Sequence, residues 1–516
     1  MLRTTFFIAI AVAVGSTAFA QQDSVALGYA NTITEADLST YLSVLASDEY
    51  EGRETGLKGQ KMAAQYLKER FAGFGIAPMP MASERGLVDG YFQPFGLVVE
   101  QPGSLVLEAD GKQFRFLEDQ IYFTKRVPAD IAFTGITYTG VNDLAGLPEG
   151  TRVAITVLPG KDNTSGVEMS RLSELGAAFA GRGGELLLVA AENYDLTKQE
   201  YAHWLGSTRM KLAEDTLKKG TRKGTQTMLI SPALATTLLA KGDLAYAKEL
   251  KKAKKGKQVK TRSITASVSV LNRPVYTPLS SENVLAYIEG GDKKDEVVVV
   301  TAHYDHIGMH DGEVYNGADD DGSGTVALLE MAQAFAQAKR DGHGPRRSML
   351  FMPVAGEEKG LLGSEYYSEH PVFPLANTVC DLNIDMIGRT DSAHATSPPY
   401  VYIIGSNRLS TELHAVNQRA NDVYVGIDMD EKFNSRDDPN RFYSRSDHYN
   451  FARKGVPVIF YFSGVHEDYH QPGDEVRKIR FDLLRQRTAL VFHTAWEVAN
   501  REQRVVVDGK IEDEED

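Results

Sequence analysis

The spacing of apolar residues changes twice along the chain. From residue 34 to 75 they recur every three or four positions, first in "EADLSTYLSVL" and then in "KGQKMAAQYLKERF". This predicts two helices separated by the glycine-bearing link "YEGRETGLKG". Between roughly 121 and 265 the texture becomes strand, helix, strand: "RVAITVLPG", "VEMSRLSELGAAFAGRGG", "ELLLVAAEN", then "MLISPALATTLLA" and a lysine-rich stretch. That alternation predicts a separate domain inserted over 121–265. After "SENVLAYIEGGDKKDE" come four apolar runs, 297–300, 349–354, 379–384 and 456–462, rich in Val, Ile and Phe without polar alternation. Strands covered on both faces read this way, and helical stretches intervene, so the expected fold class is α/β with a mostly parallel central sheet flanked by helices.

In such sheets ligands gather at the carboxyl ends of the strands. There the sequence places "TAHYDHIG", "AGEEKG", "DMIG" and "SGVHEDYHQPGDE", each with side chains that bind metals. A fifth segment, "NGADDDGSGTVALLE", sets three aspartates between glycines just before a helix pattern. Two metal sites fit it. As a calcium loop, Asp319, Asp321, Ser323, Gly324 and Glu330 fall at positions 1, 3, 5, 6 and 12 of an EF-hand, with Val326 at the apolar position 8. That reading needs a helix leading into Asp319, but "HIGMHDGEVYNGA" is loop. The exit pattern Val326, Leu329, Ala332, Phe335 also starts its helix near Ser323, inside the would-be calcium loop. The other reading makes one aspartate a ligand shared by two zinc ions, and it uses the strand ends as well.

Composition narrows the setting. The chain has 516 residues, 42% of them hydrophobic and 24% charged, which is globular composition and enough for two or three domains. A net charge of -14 argues against nucleic acid as a partner, and the basic run "KELKKAKKGKQVKTR" reads as a solvated connector. The start, "MLRTTFFIAIAVAVGSTAFA", has Arg3, an apolar run over 6–14 and Ala18-Phe19-Ala20 as a small-x-small cleavage site. We read residues 1–20 as a signal peptide and expect export to a periplasmic or extracellular setting; the apolar run is well short of the ~20 residues that span a bilayer, and no later stretch is long enough for a membrane span. Gln21 follows the site, which excludes a lipid-modified cysteine there. The lone Cys380, in "VCDLNI", reads as a buried, inert thiol.

"TAHYDH", "GADDDGSG", "AGEEKGLLGS", "NIDMIG", "SDHYNFARKGVP" and "DYHQPGDE" stand in an order and spacing that resemble the di-zinc exopeptidases. That family includes secreted bacterial leucyl-type aminopeptidases, glutamate carboxypeptidase and a non-enzymatic cousin, the transferrin receptor. The opening "SDEYEGRETGLKGQKMAAQYLKERF" is similar to the family's first helices, and the 121–265 insert looks like a protease-associated domain. The resemblance implies a zinc exopeptidase fold with a first part at 21–120, the insert, a second part at 266–503 carrying the metal site, and an acidic tail at 504–516.

By that resemblance His303 and Asp385 hold one zinc, Glu358 and His470 the other, and Asp320 bridges them. Asp319 and Asp321 then add hydrogen bonds or negative charge. Asp305 is expected to orient the His303 imidazole, Glu357 to act as general base, and Tyr469 to donate to the oxyanion. His306, His310 and His466 are expected to make loop contacts without being ligands. Ser446, Asp447 and His448 read as a helix N-cap and first turn, not as a serine triad. The expected function is hydrolysis of N-terminal peptide bonds in peptide substrates, with two zinc ions per chain. The amino-end preference follows from "VPVIFYFSGVHEDYH", which is apolar and acidic and has no arginine to clamp a carboxylate, although Arg389, Arg441 and Arg445 could supply one from elsewhere. The alternatives are a carboxypeptidase, another amide hydrolase such as a single-zinc glutaminyl cyclase, or a non-catalytic binding protein on the same fold.

Overall fold

The computed structural model describes residues 22–123, 130–141, 144–162, 164–217, 225–257, 259–397 and 399–511. The signal-peptide reading of 1–20 therefore lies outside the described residues. The chain divides into two compact units, one formed by residues 1–95 with 281–516 and the other by 96–280.

The first unit is built on a seven-stranded sheet in the order Ala286–Ile288, Arg347–Val354, Lys293–His303, Thr378–Ile384, Val458–Phe462, Tyr400–Ile404, Asp428–Asp430. The four strands read from the sequence are adjacent and mutually parallel, with Val300 opposite both Phe351 and Leu382, and Leu382 opposite Ile459. Their carboxyl ends therefore share one edge. Tyr400–Ile404 runs antiparallel to Val458–Phe462 and is not among the four apolar runs. Both sheet faces are covered. Phe351 meets Phe335 of the helix Gly324–Arg340 at 5.6 Å between ring centroids, and Phe335 in turn meets Phe492 of the helix Phe481–Asn500 at 5.1 Å. Residues of opposite parity, Leu350, Met352, Val297 and Val299, join Tyr367 and Phe451 in a separate core. Burial on both faces is why these strands carry no polar alternation.

The two opening helices form as expected, over Glu35–Leu45 and Lys58–Gly73. The Thr34 side chain caps the first by accepting the Asp37 N–H at 3.0 Å. Cys380 is fully buried. Among the described residues no helix is long and apolar enough to cross a membrane.

The second unit is wider than the stretch 121–265. It runs over 96–280 because the strand Leu105–Ala109 pairs antiparallel with Arg262–Asn272, placing Ala109 opposite Val268. Pairing partners so far apart in the chain leave no local signal. Its eight-stranded sheet has a parallel centre formed by Ile131–Val141, Val153–Leu158, Leu186–Ala191 and Gln226–Ile230. The lysine-rich stretch is not a plain connector, since the helix Tyr246–Ala253 buries Tyr246, Glu249 and Ala253. The acidic tail also starts later than residue 504. Val505 is buried, the Val506 N–H donates to Glu412 and the Asp508 carboxylate accepts the Thr411 N–H, so the chain is held to the first unit there; residues 512–516 lie outside the described residues.

Candidate metal centre

All five expected ligands meet at the carboxyl edge of the first unit's sheet. His303 ends its strand, Asp385 follows Thr378–Ile384, and Glu357 and Glu358 follow Arg347–Val354. Asp320 lies in the irregular turn Ala318–Ser323, and His470 in the loop after Val458–Phe462. Asp320 stands between two donor groups. Its Oδ1 is 3.2 Å from His303 Nε2, which is itself 3.6 Å from Asp385 Oδ1. Its Oδ2 is 3.2 Å from His470 Nε2, which is 3.1 Å from Glu358 Oε2. Glu357 Oε2 is 3.9 Å from His303 Nε2, beside the first group.

The neighbouring aspartates have different work. Asp321 accepts the N–H groups of His303 (3.1 Å), Gly324 (2.9 Å) and Met386 (3.0 Å), joining two strand ends to the helix start. Asp319 accepts the Gly388 N–H at 2.6 Å, and its other oxygen is 3.2 Å from His466 Nε2. The turn is held from behind by Asp474, whose carboxylate accepts the N–H groups of Asp319 and Asp320 at 3.0 Å. Gly324 is required where the helix begins, because a Cβ there would lie 2.6 Å from the Ile384 carbonyl oxygen. Calcium ligation does not fit: the helix begins at Gly324, and Glu330, the would-be twelfth ligand, is buried and accepts the Thr34 N–H at 3.0 Å.

Asp305 departs from its expected role. His303 Nδ1 meets the Asp305 backbone carbonyl at 3.1 Å, while the nearest Asp305 carboxylate oxygen is 3.8 Å away. The carbonyl fixes the imidazole with Nε2 toward the donor group. The carboxylate instead accepts the Thr55 hydroxyl at 2.6 Å and the Glu357 N–H at 3.3 Å, so it positions the glutamate turn. Nor does Ser446 cap a helix, since its hydroxyl donates to Asp385 Oδ2 at 2.7 Å. Asp447 takes the N-cap position of His448–Ala452 without a side-chain cap bond, and burial pulls the His448 imidazole down to about 3. The Ser446 hydroxyl is thus committed to Asp385 while His448 is a core ring stacked on Phe460, so the three residues do not form a serine triad.

Sequence reasoning also missed Arg53. Its fully buried guanidinium donates to the carbonyls of Leu45 (2.8 Å), Tyr304 (2.8 Å), Asn316 (2.7 Å) and Gly317 (2.9 Å), tying together the backbones that carry His303 and Asp320. An arginine between two glycine-rich turns gives no hint of this.

The donor set fits divalent metal. His303 Nε2, Asp320 Oδ2 and Glu358 Oε1 are buried without hydrogen-bond partners, an arrangement that is costly unless a cation satisfies them. Burial works against a charged His470, yet Asp320 and Glu358 push its pKa up to about 10, so the site attracts positive charge. Glu357 behaves differently. Burial first, then Glu358 and Asp385, push its carboxyl well above the usual range despite the opposing pull of His303. Beside the carboxylates a recess is walled by Met386, Phe442, Phe460 and Phe462, with Tyr469 and Arg445 on its rim side. The Tyr469 ring stacks on His470 at 3.9 Å between centroids, and burial raises its phenol, keeping the hydroxyl protonated. A larger cavity of about 920 Å³ lies in the second unit, and among the described residues no acid, histidine or cysteine lines it.

Residues 283–495 match the sequence model of Peptidase family M28. A probable zinc metalloprotease of Pyrenophora tritici-repentis (strain Pt-1C-BFP) is 27% identical over 281 residues, which cover 46% of this chain and 56% of that protein. Aminopeptidase YwaD of Bacillus subtilis (strain 168) is 27% identical over 244 residues, covering 46% of this chain and 49% of that one. The chain thus spans about half the length of the curated relatives it matches. Among solved structures, an aminopeptidase from Aneurinibacillus sp. strain AM-1 is similar with a TM-score of 0.50 at 17% identity, covering 94% of this chain and 98% of that one, a likeness of fold.

Proposed function

We propose that this protein is an exported zinc metallo-aminopeptidase that holds two zinc ions and removes residues from the amino end of peptides. The observation that carries the reading is the Asp320 carboxylate, with one oxygen facing His303 and Asp385 and the other facing His470 and Glu358. Two zinc ions so held would acidify a water and polarise a scissile carbonyl. Glu357 stands beside the His303 group, placed to take a proton from the attacking water and pass it to the leaving amine. The protonated Tyr469 hydroxyl is the side-chain donor for the developing oxyanion. Relatives named as a zinc metalloprotease and an aminopeptidase support this chemistry. The export reading rests on residues 1–20.

The amino-end preference is supported by the carboxylates of Glu357 and Asp385 facing the recess, since they can hold a substrate ammonium. One of the three alternative clamps is engaged elsewhere, because Arg389 pairs with Asp468 at 3.1 Å. Arg445 favours the carboxypeptidase reading: it lines the recess and donates to the Tyr469 hydroxyl at 3.4 Å. Matched peptides decide between them, one N-acetylated and one C-amidated. Aminopeptidase action survives amidation and disappears on acetylation; the reverse pattern moves the protein to the carboxypeptidase reading.

A further inference from the structure

The second donor group contains one more buried imidazole than the motif positions assign. His306 follows His303 and Asp305 in "TAHYDH" and is fully buried. Its Nδ1 lies 2.9 Å from Glu358 Oε1 and 3.8 Å from Asp320 Oδ2. Neither Nδ1 nor Glu358 Oε1 has an aligned hydrogen-bond partner. His306, Asp320 and Glu358 thus bring one donor atom each to a common point, as the ligands of one cation do.

The ring is also fixed in place. The His306 N–H donates to the Arg53 carbonyl at 3.2 Å, and Arg53 holds the Gly317 carbonyl from the other side. Gly317 has φ of +54°, and a Cβ on it would fall 2.5 Å from the His306 ring, so the absence of a side chain there leaves the space the imidazole fills. At the His303 and Asp385 end the further donor among the described residues is a carboxylate, Glu357, 3.9 Å from His303 Nε2 and read above as the base.

We propose that His306 is a protein ligand, through Nδ1, of the second metal position, joining Asp320, Glu358 and His470. The two positions are then unequal. The second is closed by four protein groups, as structural zinc sites are, while the first has His303, Asp385 and Asp320 and keeps a coordination place for water or substrate. His306 thereby assigns the metal-retaining role to one position and the reacting role to the other. This inference rests on the two-metal reading above.

The test is X-ray absorption at the zinc edge on the zinc-loaded full chain, with bound zinc measured in the same samples. His306→Asn is the informative variant: its side-chain amide keeps a donor near Nδ1 that can still hydrogen bond to Glu358, but it is a poor zinc ligand. His306→Ala is the second. In the parent protein we expect scattering from three imidazoles shared over two zinc ions, falling to two in both variants. Under graded chelator, one of the two metals should leave both variants at a concentration at least about tenfold lower than in the parent. Scattering from only two imidazoles in the parent, or parent-like scattering and retention in His306→Asn, would overturn the proposal and leave His306 as a residue that positions Glu358. Less than one zinc in folded, active parent protein would instead overturn the two-metal reading itself, so the two failures are distinguishable. Circular dichroism on each loaded protein confirms that the variants compared are folded.

Discussion

The Asp474 carboxylate accepts the backbone N–H of Asp320 at 3.0 Å, so the aspartate that faces both donor groups is aimed by a second acid lying behind it. Removing either should act on metal before it acts on chemistry. Asp320→Ala leaves two cations without a shared anion, and we expect it to lose zinc during dialysis while remaining folded. Asp474→Ala leaves the ligands in place but frees the turn, which should cost about 10–100-fold in metal affinity, the usual scale for a residue that orients a ligand. Competition with a zinc chelator measures both. Asp474→Ala with parent affinity would show that the turn needs no such support.

Glu357→Gln should separate base from ligand. Glu357 stands 3.9 Å from His303 Nε2, whereas Glu358 lies 3.1 Å from His470 Nε2. The variant should keep its zinc and lose at least about 10²-fold in kcat, the scale of a lost general base. Metal analysis and steady-state kinetics on the same preparation test this; loss of zinc would make Glu357 a ligand.

Glu330 gives the fold a pH dependence away from the metal centre. Burial is the main cause that pushes its carboxyl from 4.5 to about 7, and one oxygen has no partner. Below about pH 4.5 the group is protonated both folded and unfolded. Between there and about pH 7 the unfolded chain releases the proton and the folded chain keeps it, so stability falls as pH rises. Above pH 7 the loss is complete and amounts to about 3 kcal/mol, since each tenfold difference in proton affinity between the folded and unfolded chain is worth about 1.4 kcal/mol. Glu330→Gln keeps an acceptor for the Thr34 N–H and removes the titration. It should unfold at a higher temperature than the parent at pH 8 and at nearly the same temperature at pH 4.5. Equal differences at the two pH values would rule out this account.

The second unit carries none of the metal-facing residues, so excising 96–280 should spare the metal centre. With a short linker between Phe95 and Ser281, the remaining chain should bind zinc as the parent does, while kcat/KM across a peptide series changes. Zinc loss from excised protein shown to be folded would place part of the site's support in the second unit.

The sequence by itself determined the parallel strands and the residue types at their ends. Apolar runs without alternation can be satisfied only by burial on both faces, and the helices between them force the strands to run parallel, so His303, Glu358, Asp385 and their neighbours had to reach one edge. It also determined that the aspartate segment could not be an EF-hand, because the apolar period starts a helix near Ser323. The tertiary structure decided which groups hold the ligands. Arg53 reaches four carbonyls, Asp474 grips a turn more than a hundred residues earlier, Ser446 turns out to serve Asp385, and the Asp305 carbonyl rather than its carboxylate meets His303. The boundary of the second unit was decided the same way, by the pairing of Ala109 with Val268. The physical reason is common to all of these. Periodicity records which side of an element is buried, whereas a hydrogen bond between distant segments depends on where the whole fold brings them, and a polar residue in a loop is spelled the same whether it faces water or a buried carbonyl.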